Sequence, residues 1–331
     1  MNEGDNLIAT ENDQLPPKLN SVIIEEDEFK LEMDRKDTLK EIPNNLGEGL
    51  SEKDLITKMK EYYVGEKQFG KYTLNKEYVE NMNTETKLYH QNLRSSETPL
   101  ASVLFIHGAC EHSTRYMEIA KKLADNQLIV HLFDLSGYGY SSGARTMSSV
   151  KDFYENILLI MTKVQKNFPL FIFAHSMGAG LSISFLKLNP HLKIAGLVVS
   201  CPYIDLPEEA KLDKVGKFFI NCIPENFDGF MLNNQIHPHI LTKSSSCVKE
   251  MVGDRFLHPI VTIKFLKTMI ELTRILRGYK PNDKFNYPLF LISGAMDRLT
   301  PMEPTCEYMD KLKCDDKSFY YFENGLLNSC A

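Results

Sequence analysis

One stretch of the sequence decides the fold, namely Leu170-Phe-Ile-Phe-Ala-His-Ser176-Met-Gly178. Its apolar run predicts a buried strand, and the apolar-periodic residues 179–188 that follow predict a helix. The turn between them carries Ser176, with the small residues Ala174 and Gly178 two positions before and after it. A sharp strand–turn–helix of this kind lifts the serine hydroxyl above the sheet edge. We therefore interpret Ser176 as a candidate catalytic nucleophile.

Strand and helix patterns alternate on both sides of this turn. Apolar runs predict strands, and helically spaced apolar residues predict helices. The strands are expected over 101–106, 128–134, 170–174, 194–200, 288–293 and 318–322, and the helices over 116–123, 153–164, 179–188 and 303–312. Such alternation is typical of an α/β fold with a doubly wound, mostly parallel sheet. Further upstream, residues 73–79 and 87–93 predict an edge hairpin, and 51–63 a short helix.

Two regions depart from this alternation and suggest the domain organisation. Residues 1–50 are polar and acidic, which predicts a disordered tail before a domain over 51–331. Residues from about 203 to 285 are helix-like and uneven, and we interpret them as a cap over the carboxyl ends of the strands, where ligands bind in open α/β sheets. A helical subdomain without a gating role is the alternative. Its apolar stretch 260–276 is a candidate for peripheral membrane contact, or equally for cap core.

Composition excludes several classes of function. The net charge is −6, and residues 1–60 hold fifteen acidic and eight basic side chains, so the rest is close to neutral. Nucleic acid binding, which needs a clustered basic face, is therefore not expected. Seven scattered cysteines and the lack of any Cys/His cluster predict no disulfide framework, no metal site and no cofactor. Without a signal-peptide pattern or a membrane-spanning apolar run, we expect a cytoplasmic protein, and the oligomeric state is not indicated.

Two further parts of a serine-hydrolase site can be placed by their position in the alternation. An oxyanion hole needs one backbone N–H after the nucleophile and one from the first βα loop. Met177 and Ala109, the latter in the loop after strand 101–106, are the candidates. The triad acid should follow the fifth strand, which favours Asp297. Asp134 also ends a strand, and its alternative role is to cap the turn after it.

These motifs together resemble the monoacylglycerol lipase/lysophospholipase family of α/β-hydrolases over roughly residues 75–323. They read His107-Gly-Ala-Cys-Glu-His-Ser-Thr-Arg-Tyr116, Asp134-Leu-Ser-Gly-Tyr-Gly-Tyr-Ser-Ser-Gly143, His175-Ser-Met-Gly178 and Gly294-Ala-Met-Asp-Arg298. The resemblance implies an α/β-hydrolase fold and release of the acyl chain of a monoacyl lipid through an acyl-enzyme on Ser176. By the same resemblance, Glu111 and Arg115 would order the oxyanion loop or meet the polar head of the substrate. A local salt bridge between them is the other interpretation.

The C-terminal region departs from the family pattern. A family member carries its catalytic histidine a few residues after the last strand, about where Leu326 and Leu327 stand, whereas the last histidine of this chain is His258. Because the helix after that strand is missing too, we expect a sequence truncated at its C-terminus. A non-catalytic relative that binds a lipid or a partner is the alternative. Without a base, serine is a poor nucleophile, so negligible hydrolysis is expected for the chain as given.

Overall fold

The computed structural model describes residues 64–81, 86–164, 166–205, 214–233, 237–254, 256–257, 260–278 and 284–327. The predicted tail over 1–50 and the predicted helix over 51–63 lie outside these residues. Every predicted strand and helix of the alternation is present in the described part, within three residues of the predicted bounds. The local apolar patterns were therefore sufficient to place these elements.

The main sheet has nine strands in the described part, in the order β1-β2-β3-β5-β4-β6-β7-β11-β13. In chain order the strands are β1 Gly65–Phe69, β2 Tyr72–Asn81, β3 Thr86–Ser95, β4 Ala101–Ile106, β5 Leu128–Phe133, β6 Leu170–His175, β7 Gly196–Ser200, β8 Met231–Asn233, β9 Ile260–Thr262, β10 Lys284–Phe285, β11 Leu289–Gly294, β12 Lys313–Cys314 and β13 Lys317–Phe322. The predicted hairpin is β2–β3, but β1 pairs with β2 and takes the edge position. From β5 to β13 all neighbours are parallel, as in an α/β hydrolase.

Helices flank this sheet and fill the insertion before β11. They are α1 Met117–Asp125, α2 Val150–Met161, α3 Met177–Leu188, α4 Lys214–Cys222, α5 Pro238–Leu241, α6 Ser245–Gly253, α7 Ile263–Arg277 and α8 Met302–Lys311. Helix α7 lies within the predicted cap range of 203–285, yet its buried residues Met269, Leu272 and Leu276 belong to the same hydrophobic core as the sheet. The apolar face of the stretch considered for membrane contact is thus packed in the protein core. In the part of the chain that the structure describes, no helix is long and apolar enough to cross a membrane.

The two faces of the sheet are covered unequally. On one face, α2, α3, α7 and α8 contribute to one large core. On the other, α1 packs over Phe105, which is fully buried. On this second face, paired residues of neighbouring strands form a row from Phe105 through Phe173 and Val198 to Phe290. The exposed fraction of the side chains rises along this row to 38% at Phe290, and Tyr320, on the same face of β13, is 52% exposed. Parallel sheets are usually buried on both faces, so the β11–β13 end is the unusual part of this fold.

Candidate active site

Ser176 lies in a strained turn between β6 and α3. Its backbone has φ 51° and ψ −118°, a conformation that is uncommon for residues other than glycine. The turn is held on both sides, because Ser176 N donates to Ser200 O at 2.9 Å and Tyr203 N donates to Ser176 O at 3.0 Å. The Ser176 side chain is partly exposed, and its Oγ makes no hydrogen bond to the described residues. This geometry is that of a nucleophile elbow.

The turn works only with small neighbours, which is the physical basis of the sequence pattern. A Cβ atom added to Gly178 would lie 2.5 Å from Ile106 O, at the end of β4. A Cβ added to Gly108 would lie 3.0 Å from Ser176 Cβ and 2.6 Å from Glu111 Oε1. Helix α3 and the loop after β4 therefore approach each other closely on either side of the serine. The loop predicted to form the oxyanion hole is in place beside Ser176.

Two backbone N–H groups remain available in this corner. Neither Ala109 N nor Met177 N donates a hydrogen bond to any residue that the structure describes. Cys110, which follows Ala109, has a positive φ of 58°. Because left-handed backbone is costly for a residue with a Cβ, this loop stores strain next to the candidate oxyanion donors. Unused N–H groups on a strained loop and at a helix start are what an oxyanion hole requires.

Glu111 is a buried residue of the loop after β4, residues 107–112, which we call the oxyanion loop because it holds the candidate oxyanion donor Ala109. Its Oε1 accepts hydrogen bonds from Gly108 N at 2.6 Å and from the Tyr116 hydroxyl at 2.5 Å, and its Oε2 accepts one from Arg115 at 2.6 Å. Burial by itself would raise the pKa of this carboxyl, but Arg115, two nearby histidines and the Tyr116 hydroxyl bring the pKa below its usual value. Both oxygens are thus used within the protein. The arrangement supports the loop-ordering role, with the local salt bridge as part of it, while head-group contact by Glu111 and Arg115 stays a prediction.

Asp297 lies where the sequence predicts the triad acid, on the loop after β11. It is almost fully buried, and its Oδ1 accepts hydrogen bonds from Leu299 N at 2.8 Å and Thr300 N at 3.0 Å. Its Oδ2 accepts one from Thr300 Oγ1 at 2.5 Å. Asp134, by contrast, accepts from Ser113 N at 2.7 Å and from Tyr140 N at 2.8 Å, so it ties two loops together. This use of Asp134 agrees with its alternative, structural interpretation.

The described histidines are engaged elsewhere. His107 Nε2 accepts from Leu135 N at 3.0 Å, which leaves Nδ1–H to donate to Gly108 O at 2.8 Å. His175 Nδ1 lies 3.2 Å from Ser200 Oγ, and burial lowers the pKa of this imidazole. His112 Nε2 lies 2.8 Å from Asp254 Oδ2. No histidine of the described residues is hydrogen-bonded to Ser176 Oγ or to the Asp297 carboxylate, and His258 lies outside them.

The segment after β13 passes beside the loop that carries Asp297. Ala295 N donates to Phe322 O at 2.9 Å, and Met296 N donates to Gly325 O at 3.0 Å. Leu327, near the end of this segment, is buried. The backbone of residues 325–327 is therefore held next to Asp297, at the place where the family resemblance puts the catalytic histidine.

The insertion predicted as a cap contacts the site from two sides, through side chains that the sequence alone did not indicate. Asp254, at the end of α6, pairs with His112 on the oxyanion loop. Lys243, between α5 and α6, donates to Asn324 O at 3.1 Å, beside the Asp297 loop. A charged residue in a cap has no recognisable partner in sequence, because the two partners lie more than 80 residues apart. Within the described residues no group of His, Cys, Asp and Glu side chains could hold a metal ion.

Known proteins resemble this chain in sequence and in fold. A family model described as serine aminopeptidase, S33, matches residues 97–326. An abhydrolase domain-containing protein of Dictyostelium discoideum is 30% identical over 229 residues, covering 68% of this chain but only 24% of the relative's length. Human monoglyceride lipase is 28% identical over 247 residues, covering 72% of this chain and 78% of the lipase.

Solved structures give the same picture. A monoacylglycerol lipase from Paleococcus ferrophilus has a TM-score of 0.63 at 24% identity, over 73% of this chain and 90% of its own. A soluble variant of the Saccharomyces cerevisiae monoglyceride lipase, in complex with a substrate analog, has a TM-score of 0.65 at 16% identity, over 75% and 85%. These likenesses bear out the α/β-hydrolase fold and the family resemblance drawn from the motifs. The chain therefore belongs to the serine aminopeptidase S33 family and is an α/β hydrolase of the monoglyceride-lipase-like type.

Proposed function

We propose that this chain carries the catalytic framework of a serine hydrolase that cleaves the carboxylic ester of a single-acyl lipid through an acyl-enzyme on Ser176. The observation that carries the proposal is the strained Ser176 turn packed against a loop whose Ala109 N–H, like that of Met177, is unused in the described structure. The human and yeast monoglyceride lipases support a lipid substrate by their likeness to this chain. Asp297 is the proposed acid of the triad.

The chemistry follows from this arrangement. Ser176 Oγ attacks the ester carbonyl carbon and forms the new C–O bond, while its proton passes to a base. The N–H groups of Ala109 and Met177 stabilise the oxygen that becomes negative. Collapse breaks the ester C–O bond, and the glycerol-side alcohol leaves with the proton. Water then attacks the acyl-enzyme and releases the fatty acid.

The base is the open part of this scheme. The family position for it is taken by Leu326 and Leu327, beside the Asp297 loop. This observation favours a second candidate function, a non-catalytic protein on the same fold that binds a monoacyl lipid or a partner. Under either candidate, we expect the chain as given to hydrolyse monoacylglycerol negligibly.

The two candidates separate if a base is supplied at that position. We expect Leu327→His or Leu326→His to accelerate hydrolysis of a p-nitrophenyl ester and of a monoacylglycerol by at least about 100-fold, the usual contribution of a positioned base. Asn324→His, an exposed position in the same segment, is the matched control and should leave the rate unchanged. The gain should vanish on adding Ser176→Ala. If both leucine variants fold and neither gains activity, the catalytic proposal fails and the non-catalytic one stands.

Labelling with a fluorophosphonate tests the nucleophile directly. We expect slow labelling of the parent chain at Ser176, none after Ser176→Ala, and faster labelling in the active histidine variant. Labelling at any other serine would contradict the assignment of Ser176.

We also propose peripheral membrane contact through the cap, at a site other than α7. Four large apolar side chains between α4 and β8 are more than half exposed: Phe219, Phe227, Phe230 and Met231. Exposed apolar side chains of this size commonly mark a partner or membrane surface. Sedimentation with lipid vesicles should fall in Phe230→Ser/Met231→Ser and stay unchanged in Leu158→Ser, an exposed leucine on α2. Equal sedimentation of the parent chain, the double variant and Leu158→Ser would exclude this surface.

A further inference from the structure

One cation beside the oxyanion loop has no anionic partner among the described residues. Arg145, on the connection from β5 to α2, is exposed and forms no ion pair with a carboxylate of the described residues. Its guanidinium carbon lies 5.8 Å from the centre of the Phe256 ring. That ring packs on Tyr140 at 4.5 Å and on His112 at 5.4 Å. Arg145 therefore rests on an aromatic support that includes a residue of the oxyanion loop.

The connection that carries Arg145 is rigidly joined to that loop. The Asp134 carboxylate accepts one N–H from Ser113, just after the oxyanion loop, and one from Tyr140, just before Arg145. The turn between is tight, because Gly137 has φ 78° and a Cβ there would lie 2.5 Å from Ala144 O. The backbone that leads to Arg145 is thus held next to the loop by hydrogen bonds to the buried Asp134 carboxylate.

The charge of Arg145 acts on the candidate catalytic corner. Burial raises the pKa of the Cys110 thiol to about 12, and the positive charge of Arg145 works against this rise. Near the loop, Glu111 pairs with Arg115, and Asp254 lies 2.8 Å from His112 Nε2. The buried Asp134 carboxylate is satisfied by the backbone N–H groups of Ser113 and Tyr140. Arg145 is left as a positive charge at the site without a described counter-ion.

We propose that Arg145 binds the phosphate of the substrate head group, so that this chain selects an anionic lysophospholipid over a neutral monoacylglycerol. The inference rests on the proposed function, since it needs the ester carbonyl at Ser176. A guanidinium presents a planar fork of donors that matches phosphate oxygens, which a neutral glycerol head cannot exploit. The Phe256 support holds the fork in place.

Binding of two matched lipids tests the proposal without relying on turnover. Octanoylglycerol and octanoylglycerol phosphate are titrated by calorimetry into the full chain carrying Ser176→Ala, so that hydrolysis adds no heat. Calorimetry is the method of choice because the chain has no tryptophan. We expect the phosphate lipid to bind about 10-fold more tightly, as one charge-assisted contact would give. Arg145→Gln should remove this preference, and Arg145→Lys should keep part of it.

Two controls define the outcome. Arg94→Gln, an exposed arginine on β3 paired with Glu66, should keep the preference. Inorganic phosphate at the same concentrations should not displace the lipid. Equal affinity for both lipids, equal weakening of both by Arg145→Gln, or displacement by inorganic phosphate would each overturn the head-group assignment. If neither lipid binds, both the proposed function and the role of Arg145 fail. If octanoylglycerol binds but the phosphate lipid binds no more tightly, only the role of Arg145 fails.

Discussion

The oxyanion loop and the loop that carries Asp297 lie on the same site but are held in different ways. The first is tied to other elements by buried groups: His107 Nε2 accepts from Leu135 N, His112 Nε2 lies 2.8 Å from Asp254 Oδ2, and Gly108 packs against Ser176. In the second, the Asp297 carboxylate bonds only to residues two and three positions later among those described, and the loop backbone bonds to the segment after β13. The first half is thus held by side chains from several elements, the second by a local turn and backbone bonds at the edge of the sheet.

The surroundings follow the same division. Behind the oxyanion loop, α1 covers the sheet and Phe105 is fully buried. Behind the Asp297 loop, β13 forms the sheet edge, and a shallow groove of about 700 Å³ is lined by residues 319–325. Because the free energy of a substitution depends on how much packing surrounds the changed atoms, the two halves should respond differently to mutation.

Among substitutions at the candidate site, the largest effect is expected at Glu111. Glu111→Gln removes the charge from a buried ion pair and leaves Arg115 uncompensated, which should lower the free energy of unfolding by about 3 kcal/mol. Denaturant unfolding measures this loss, and fluorophosphonate labelling of Ser176 should slow in parallel. The control is Glu118→Gln, whose carboxylate is 72% exposed, with an expected change below about 0.5 kcal/mol. Equal losses in both variants would mean that the oxyanion loop does not depend on the buried pair.

The next effect is a pH dependence within the well-packed half. His131 on β5 is buried, and its Nδ1 lies 3.1 Å from His90 Nε2. Burial is the main cause that lowers the pKa of His131 from 6.5 to about 3, and the charge of His90 adds to it. The unfolded chain therefore takes up this proton at a higher pH than the folded one, so stability is full above pH 6.5 and falls as the pH is lowered. Between pH 7.5 and 5 the group should cost about 2 kcal/mol.

Unfolding at these two pH values in His131→Leu measures the contribution, since the acid-induced loss should shrink by that amount. His191→Gln, which removes an exposed histidine, is the control and should keep the full loss. An unchanged loss in His131→Leu would show that other groups carry the acid sensitivity.

A smaller effect is expected in the locally held half. Thr300→Val removes the hydroxyl that bonds to Asp297 Oδ2, and the loss of one bond to a carboxylate should lower the free energy of unfolding by about 1.5 kcal/mol. Thr305→Val removes a bond to the neutral Pro301 carbonyl, with an expected loss of about 0.5–1 kcal/mol. Thermal unfolding ranks the two variants, and the reverse order would contradict the assigned importance of the Thr300–Asp297 bond.

The smallest effect is expected at the uncovered end of the sheet. Tyr320→Ser on β13 should change the free energy of unfolding by less than about 0.5 kcal/mol, because the ring is half exposed. Phe105→Ala, in the same face under α1, should cost about 3–5 kcal/mol. A loss above about 1 kcal/mol at Tyr320 would break the comparison, since it would require a part of the protein outside the described residues to cover this face.

Much of this organisation could be predicted from local patterns. Parallel strands inside the sheet appear as apolar runs, so β4, β6 and β11 were placed within two residues. The Ser176 turn was predicted because its steric demand fixes the residue types at Ala174 and Gly178. Strand β1 was missed, because three of its five side chains are exposed and it lacks an apolar run.

The cap illustrates the limit of such patterns. An apolar face at helical spacing predicts that a helix is buried, but not against what. Helix α7 could therefore be assigned to membrane contact or to cap core in sequence, whereas its Leu272 and Leu276 pack in the main core. The exposed aromatic side chains lie earlier in the insertion, on and after α4.

The amino-acid sequence by itself determined the α/β alternation and the serine turn, because these depend on residues that are near neighbours in the chain. It also gave the order of the site motifs and the family that they resemble, because these are recognised from residue identity and spacing. Only the tertiary structure decided which charges pair and which stay open. The bonds of Asp134 to two loops, the His112–Asp254 contact and the contact of Arg145 with Phe256 join residues from different elements. Their energies depend on distance and burial in three dimensions, and neither is written in the spacing of residues along the chain.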